Sequence, residues 1–286
     1  MPRAIRLRCA LALAALVALD ASARAAQEGP TEEVPYVRTP QAVVDAMLRL
    51  AAPRPADFLV DLGSGDGRIV ITAAQRYGTR GLGVDLDATL VAEARARAVA
   101  AGVAERVRFE KRDLFATDLA PATIVTMYLL PEYNLLLRPK LLAALRPGAR
   151  IVSHDWDMGE WRPDARLTVA APDKPVGIAK ESTVYLWIVP ARVSGRWRTE
   201  VPRDGRTVPV EIAFTQAFQD LGGEARIDGR AVAIERASVA GARVLFRFED
   251  GGKGWRFDGR ARGDRIVGQV SEDGGPPRPW RAFRVE

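Results

Sequence analysis

The sequence runs to 286 residues, 48% hydrophobic and 27% charged; this fits a globular protein long enough for two domains and excludes a disordered or fibrous chain. The formal charge is +6, but the first 25 residues alone hold four arginines and one aspartate. Residues 26–286 therefore carry 38 basic against 35 acidic groups, too even a balance to argue for a nucleic-acid partner.

The chain opens on Arg3, Arg6 and Arg8, an apolar run from Cys9 to Leu19, and the small residues Ala21, Ser22, Ala23 and Ala25. Basic start, short apolar middle and small-residue end form the pattern of a secretory signal peptide over residues 1–25, and the apolar run is too short to span a bilayer. The expected location is exported, periplasmic or membrane-associated on the outer side; a misassigned start codon would leave the protein cytoplasmic. Cleavage would remove Cys9, the single cysteine. With one histidine left, no metal centre is expected.

Residues 26–38 read as an extended N-terminal arm. Thr39 is a candidate N-cap with Pro40 at the first helical position, and Val43, Val44, Met47 and Leu48 form an apolar stripe behind it. Strand and helix patterns then alternate: strands at 58–61, 81–85, 107–110, 123–128, 149–153, 166–170 and 183–189, with helices at 68–77, after Asp87, and at 132–145. Continuous apolar strands separated by helices predict an α/β unit over residues 39–190, with a mostly parallel seven-stranded sheet covered on both faces. Ligands bind such sheets beyond the carboxyl ends of the strands.

After Pro190 the period changes to two. Val208, Val210, Ile212 and Phe214 alternate with polar residues, as do Val244, Phe246 and Phe248. Asp228-Gly229, Asp250-Gly251-Gly252, Gly263-Asp264 and Asp273-Gly274-Gly275 supply turns. Residues 191–286 thus form a second domain, an antiparallel meander of about seven or eight strands or a small barrel, with Trp197, Trp255 and Trp280 expected in its core. A closed barrel is also the basis of a competing reading, an exported ligand-binding protein whose front domain no longer catalyses.

Chemistry concentrates at 60–68, V-D-L-G-S-G-D-G-R. Three glycines at alternate positions, between a strand and a helix, let a ligand approach the backbone and face free helix N–H groups. A P-loop needs Lys-Ser/Thr where Arg68-Ile69 stand, and the third glycine is misplaced for a dinucleotide site. The acid Asp61 precedes the glycines, Asp85 ends the second strand 22 residues past Gly63, and Asp113 follows the third strand. Each alone is better explained as a cap or turn residue; in register after three successive strands they suggest one ligand held along the sheet edge.

This spacing resembles the first motif of class I S-adenosylmethionine-dependent methyltransferases, whose sheet is Rossmann-like. D-L-G-S-G-D-G-R-I-V at 61–70, P-Y-V-R-T-P at 35–40 and Y-L-L-P at 128–131 look like the ATP synthase c-subunit lysine methyltransferases and their bacterial relatives, over residues 35 to about 189. The resemblance implies S-adenosyl-L-methionine as cofactor and a protein lysine as acceptor; the leader and the second domain leave membrane proximity open as an expectation. It places Tyr36 and Thr39 over the cofactor, and Asp61, Gly63, Ser64, Gly65, Asp85, Asp113 and Leu114 around it. Met127-Tyr128-Leu129-Leu130-Pro131 departs from the Asn/Asp-Pro-Pro-Tyr/Phe motif of enzymes acting on DNA bases or glutamine amides. Tyr128 is a candidate to line the acceptor channel, with a half-buried core tyrosine as the equal alternative. His154, with Asp155 and Asp157 beside it, is a candidate base whose basicity those carboxylates would raise; a hydrogen-bonded structural histidine is the equal alternative.

Overall fold

The computed structural model describes residues 36–285. The leader at 1–25 and the arm as far as Pro35 lie outside the described residues. No described helix is long and apolar enough to cross a membrane.

The front unit comprises α1 (Gln41–Ala51), β1 (Phe58–Leu62), α2 (Arg68–Tyr77), β2 (Arg80–Asp85), α3 (Ala88–Ala100), β3 (Val107–Lys111), β4 (Ile124–Met127), α4 (Pro131–Ala144), β5 (Arg150–His154), β6 (Ala165–Ala170) and β7 (Glu181–Ile188). Its sheet has the order β3-β2-β1-β4-β5-β7-β6. Neighbours among β1 to β5 pair parallel, and β7 runs antiparallel to both β5 and β6. Successive strand residues face opposite ways, so Leu59 joins the core under α1, α2 and α3 while Val60 joins the core under α4. The links between β3 and β4 and between β5 and β6 carry no helix.

Two local expectations resolve differently. Asp87 caps α3 as expected, accepting hydrogen bonds from the Thr89 and Leu90 N–H groups at 2.7 and 3.4 Å. Thr39 does not cap α1: Pro40 occupies the cap position without a side-chain bond, and the buried Thr39 hydroxyl points to His154. The helix relies instead on burying Val43, Val44, Met47 and Leu48, all fully inaccessible.

The second unit holds β8 (Gly195–Arg203), β9 (Arg206–Ala217), β10 (Asp220–Ile227), β11 (Arg230–Ala233), β12 (Glu235–Ala240), β13 (Arg243–Asp250), β14 (Lys253–Arg262), β15 (Arg265–Glu272) and β16 (Arg278–Val285). It is an antiparallel sheet of nine strands, and the β9–β10 pairing closes eight of them into a barrel with β11 folded onto β10. Closure removes the free edges that an open meander would expose. Trp197, Trp255 and Trp280 are buried, and Phe246 stacks on Phe257 at 4.3 Å inside the barrel. Aromatic rings thus occupy the interior that the ligand-carrier reading assigned to a guest.

The two units touch. Trp161 of the front unit stacks on Phe218 at 5.7 Å, Arg138 lies over the same ring, and the Ala191 N–H donates to the Gly241 carbonyl at 2.7 Å.

Candidate active site

The parallel strands end along one edge, and the glycine loop turns there because its backbone demands it. Gly63, Gly65 and Gly67 have φ of +74°, +52° and +78°, a region in which a Cβ costs energy. At Gly65 a Cβ would also lie 2.3 Å from the Tyr36 ring. The arm therefore lies directly on the loop, and glycine is what makes room for it.

Hydrogen bonds lock this shape. The Gly63 and Ser64 N–H groups donate to the Val84 carbonyl at 3.0 and 2.9 Å. Asp85 receives the Gly65 N–H on Oδ2 at 2.8 Å and the Asp87 N–H on Oδ1 at 3.0 Å. Asp85 thus stands at the strand end where it was expected and also clamps the loop. Each carboxylate oxygen has a second lone pair, so both can still accept from a ligand hydroxyl. Asp113 accepts from the Phe115 N–H at 2.8 Å and shapes its own turn, with Leu114 half-buried beside it.

Asp61 is fully buried at the end of β1. Its Oδ1 accepts from the Thr126 hydroxyl at 2.6 Å, but its Oδ2 has no partner among the described residues, and neither has the Ser64 hydroxyl. Burial pushes the Asp61 carboxyl up to about 7; Asp85 and Asp66 push the same way, against the Thr126 bond. A buried carboxylate oxygen without a donor is costly unless something meets it. Asp66 is equally buried but answered: burial works against its charge, while ion pairs with Arg68 at 2.5 Å and Arg97 at 3.1 Å hold it below the usual carboxylate range. Arg68 also donates to the Thr39 carbonyl at 2.8 Å, which ties the arm to the loop.

On the other side of the edge, Tyr128 and His154 stack with ring centroids 3.8 Å apart. His154 is completely buried; Nδ1 lies 3.3 Å from the Thr39 hydroxyl and Nε2 2.8 Å from the Ser182 hydroxyl. Burial pulls its pKa down to about 4, Asp155 opposes this, and Lys174 adds to it. The expected gain in basicity is not realised, because desolvation exceeds the pull of a carboxylate that is itself engaged. Asp155 lies 2.6 Å from the Lys174 ammonium and accepts from the Thr183 N–H at 3.1 Å. His154 is neutral at physiological pH and has the partners of a structural histidine. Burial pushes the Tyr128 hydroxyl up to about 12 with help from Asp155, so it stays protonated, and it has no hydrogen-bond partner among the described residues. Asn134, buried in α4, donates to the Ser153 hydroxyl and to the Trp156 and Asp157 carbonyls, which fixes the turn after β5.

Asp66, Arg68, Thr126, Asn134, Lys174 and Ser182 were not singled out from the sequence. Asp66 and Arg68 sit within the glycine motif and were open to notice; the others reach the site from separate elements. The residues present fit S-adenosyl-L-methionine: the glycine cradle lets a ligand approach the backbone, and the unmet Asp61 oxygen suits a cationic amino group.

Known proteins resemble the front unit closely. The family model described as the ANTKMT methyltransferase domain matches residues 61–165. A protein-lysine N-methyltransferase of Saccharolobus islandicus is 39% identical over 157 residues, 54% of this chain and 94% of that protein. The mouse adenine nucleotide translocase lysine N-methyltransferase is 35% identical, over 57% of this chain and 66% of its own length. The mouse lysine N-methyltransferase of the ATP synthase c-subunit is 35% identical over 46% of this chain and 52% of its own length. Among solved structures, an RNA methyltransferase from Salinibacter ruber in complex with S-adenosyl-L-homocysteine is 46% identical, covers 59% of this chain and 99% of its own, and superposes with a TM-score of 0.50.

Proposed function

We infer that this chain, which belongs to the S-adenosylmethionine-dependent methyltransferase family of the Saccharolobus islandicus protein-lysine N-methyltransferase, methylates a lysine amine of a protein. It is a methyltransferase with S-adenosyl-L-methionine as its cofactor. When bound, that cofactor supplies a methyl group already activated on a sulfonium. The chain's own residues need only hold the partners and manage one proton.

Their roles are those that the family resemblance implies, and the geometry is compatible with them. Asp61 Oδ2 would hold the cofactor's amino group, Asp85, which keeps Gly65 in place, would hold its ribose, and Asp113 with Leu114 would border its base. Tyr36 and Thr39 close the arm over the loop. Tyr128 lines the acceptor channel: its protonated hydroxyl can accept a hydrogen bond from the incoming amine. A lysine has a reference pKa of about 10.4 and must lose its proton before transfer; passage along half-buried Tyr128 lowers that pKa by desolvation. His154 keeps the Tyr128 ring and the arm in place, and Asp155 acts through its bond to Lys174. The buried Asp61 oxygen without a partner beside a loop clamped by Asp85 supports the cofactor site, and similarity to protein-lysine N-methyltransferases over the front unit supports the lysine acceptor.

The acceptor is tested by transferring labelled methyl groups from S-adenosyl-L-methionine to separate protein and RNA pools and hydrolysing both. Label in Nε-methyl-lysine is the expected result; label in a methylated nucleoside would replace the lysine reading. We further propose that residues 1–25 direct export, on their basic, apolar and small-residue order. The mass of the mature N-terminus and its cell fraction test this, an intact cytoplasmic chain being the contrary result.

A further inference from the structure

Exposed apolar side chains gather at one end of the front unit. Trp156, in the turn after β5, is 41% exposed, and on the loop joining β6 to β7 Val176 is 43% and Ile178 100% exposed. Single exposed hydrophobics are ordinary, but these belong to two segments that are fastened together beside the candidate acceptor channel. The Lys174 ammonium on the loop pairs with Asp155, the residue before Trp156, and also donates to the Glu181 carbonyl at 2.9 Å. Asp155 has a φ of +61°, unusual for a residue with a side chain, and its carboxylate is held from both sides by Thr183 and Lys174. The Trp156 backbone is fixed by bonds to the His154 carbonyl and from Asn134. His154 in turn stacks on Tyr128.

Charge narrows the partner. Residues 155–181 carry six acidic and four basic side chains in a chain whose net charge is +6. With Lys174 and Asp155 cancelling each other, five acidic and three basic side chains remain, a net of −2, which disfavours phosphate-rich partners and attracts a cationic amine.

We propose that Trp156, Val176 and Ile178 form a docking surface for apolar residues flanking the acceptor lysine, with the Asp155–Lys174 pair as the positioning contact. This rests on the lysine reading given above. It makes the substrate a protein segment in which a lysine sits among apolar neighbours.

The test uses the full chain, S-adenosyl-L-methionine and two synthetic peptides with one central lysine, flanked by leucines in one and by serines in the other. The leucine-flanked peptide is expected to show at least a tenfold higher kcat/KM. Val176→Ser with Ile178→Ser, and separately Trp156→Ala, are expected to raise its KM about tenfold, with kcat and the Kd for S-adenosyl-L-homocysteine unchanged and the serine-flanked peptide little affected. These side chains are exposed, so the fold should be retained. Equal use of both peptides by the wild-type chain, or an unchanged KM in the variants, overturns the docking surface and leaves the lysine reading standing. Loss of binding to anionic phospholipid vesicles in the variants, without a change in KM, would assign the surface to a membrane instead. Methylated lysine in a protein pool with neither peptide used overturns the docking surface alone, and failure to methylate any lysine of the peptides or of the pool overturns both.

Discussion

Replacing Asp61 by asparagine should make the ligand-free protein more stable and its cofactor site worse. The native carboxyl titrates near 7, against about 3.9 in an unfolded chain. The native state therefore binds the extra proton between those values, so this group's contribution to stability is complete below about pH 4 and is lost progressively as pH rises to and through 7. At pH 8 the difference amounts to about 4 kcal/mol, an upper bound because the site can admit water when the carboxylate ionises. Asparagine keeps an oxygen for the Thr126 hydroxyl and carries no charge. At roughly 2 to 4 °C per kcal/mol for a chain of this size, Asp61→Asn should raise Tm at pH 8 by about 5 °C or more, with the gain shrinking as pH falls from about 7 and disappearing only below about pH 4. His154 works in the opposite direction: its depressed pKa means that stability falls as pH drops below about 6.5. The wild-type pH profile blends both effects, and only the difference between variant and wild type isolates Asp61. Differential scanning calorimetry from about pH 4 to 8, with and without S-adenosyl-L-homocysteine, measures it. A variant no more stable than wild type at pH 8, or a difference that does not change with pH, would refute the reasoning. So would equal stabilisation of both proteins by the ligand.

Other consequences are open to direct measurement. Gly65→Ala puts a Cβ 2.3 Å from the Tyr36 ring at a positive φ, so it should cut affinity for S-adenosyl-L-homocysteine at least tenfold by calorimetry, and adding Tyr36→Ala should not restore it, because the backbone strain remains and the arm's own contact is lost. The His154 ring, neutral down to about pH 4, should show no titration of its carbon-bound proton resonances between pH 5.5 and 8; an inflection near 6.5 would contradict the burial argument. Trp255 is buried in the barrel and donates its indole N–H to the Pro202 carbonyl at 2.7 Å, so Trp255→Ala should cost about 3–5 kcal/mol in denaturant unfolding of the barrel.

The parts of this fold that were legible in the sequence are those set by local rules. Alternate glycines announced the loop because its positive φ values exclude other residues, and the change from helical to two-residue period marked where the barrel begins. Barrel closure was harder to see. β10 carries Gly222 and Gly223, which interrupt the alternation, yet a Cβ on Gly223 would meet the Ala213 carbonyl at 1.9 Å, so the pairing that completes the barrel requires the residue that hides the strand. In the site, Asp61, Asp85 and Asp113 could be placed at strand ends by counting. Their states could not, since the single partner of Asp61 is Thr126 on another strand. His154 shows the limit most clearly. Its neighbouring carboxylates were visible as adjacent letters, whereas Thr39 and Ser182 and the complete burial that makes it neutral come from distant segments.

The glycine loop, clamped by Asp85 and completed by Asp61, is the part of the molecule on which cofactor binding depends. Isothermal titration of S-adenosyl-L-homocysteine into wild type, Asp85→Ala and Asp157→Ala tests that dependence most directly. Asp157 only accepts the Gly159 N–H at 3.0 Å in a turn, so its variant should bind as wild type does, while loss of the Asp85 clamp and ribose contact should weaken binding tenfold or more. No binding by wild type at millimolar ligand, or equal affinity in the Asp85 variant, would contradict it.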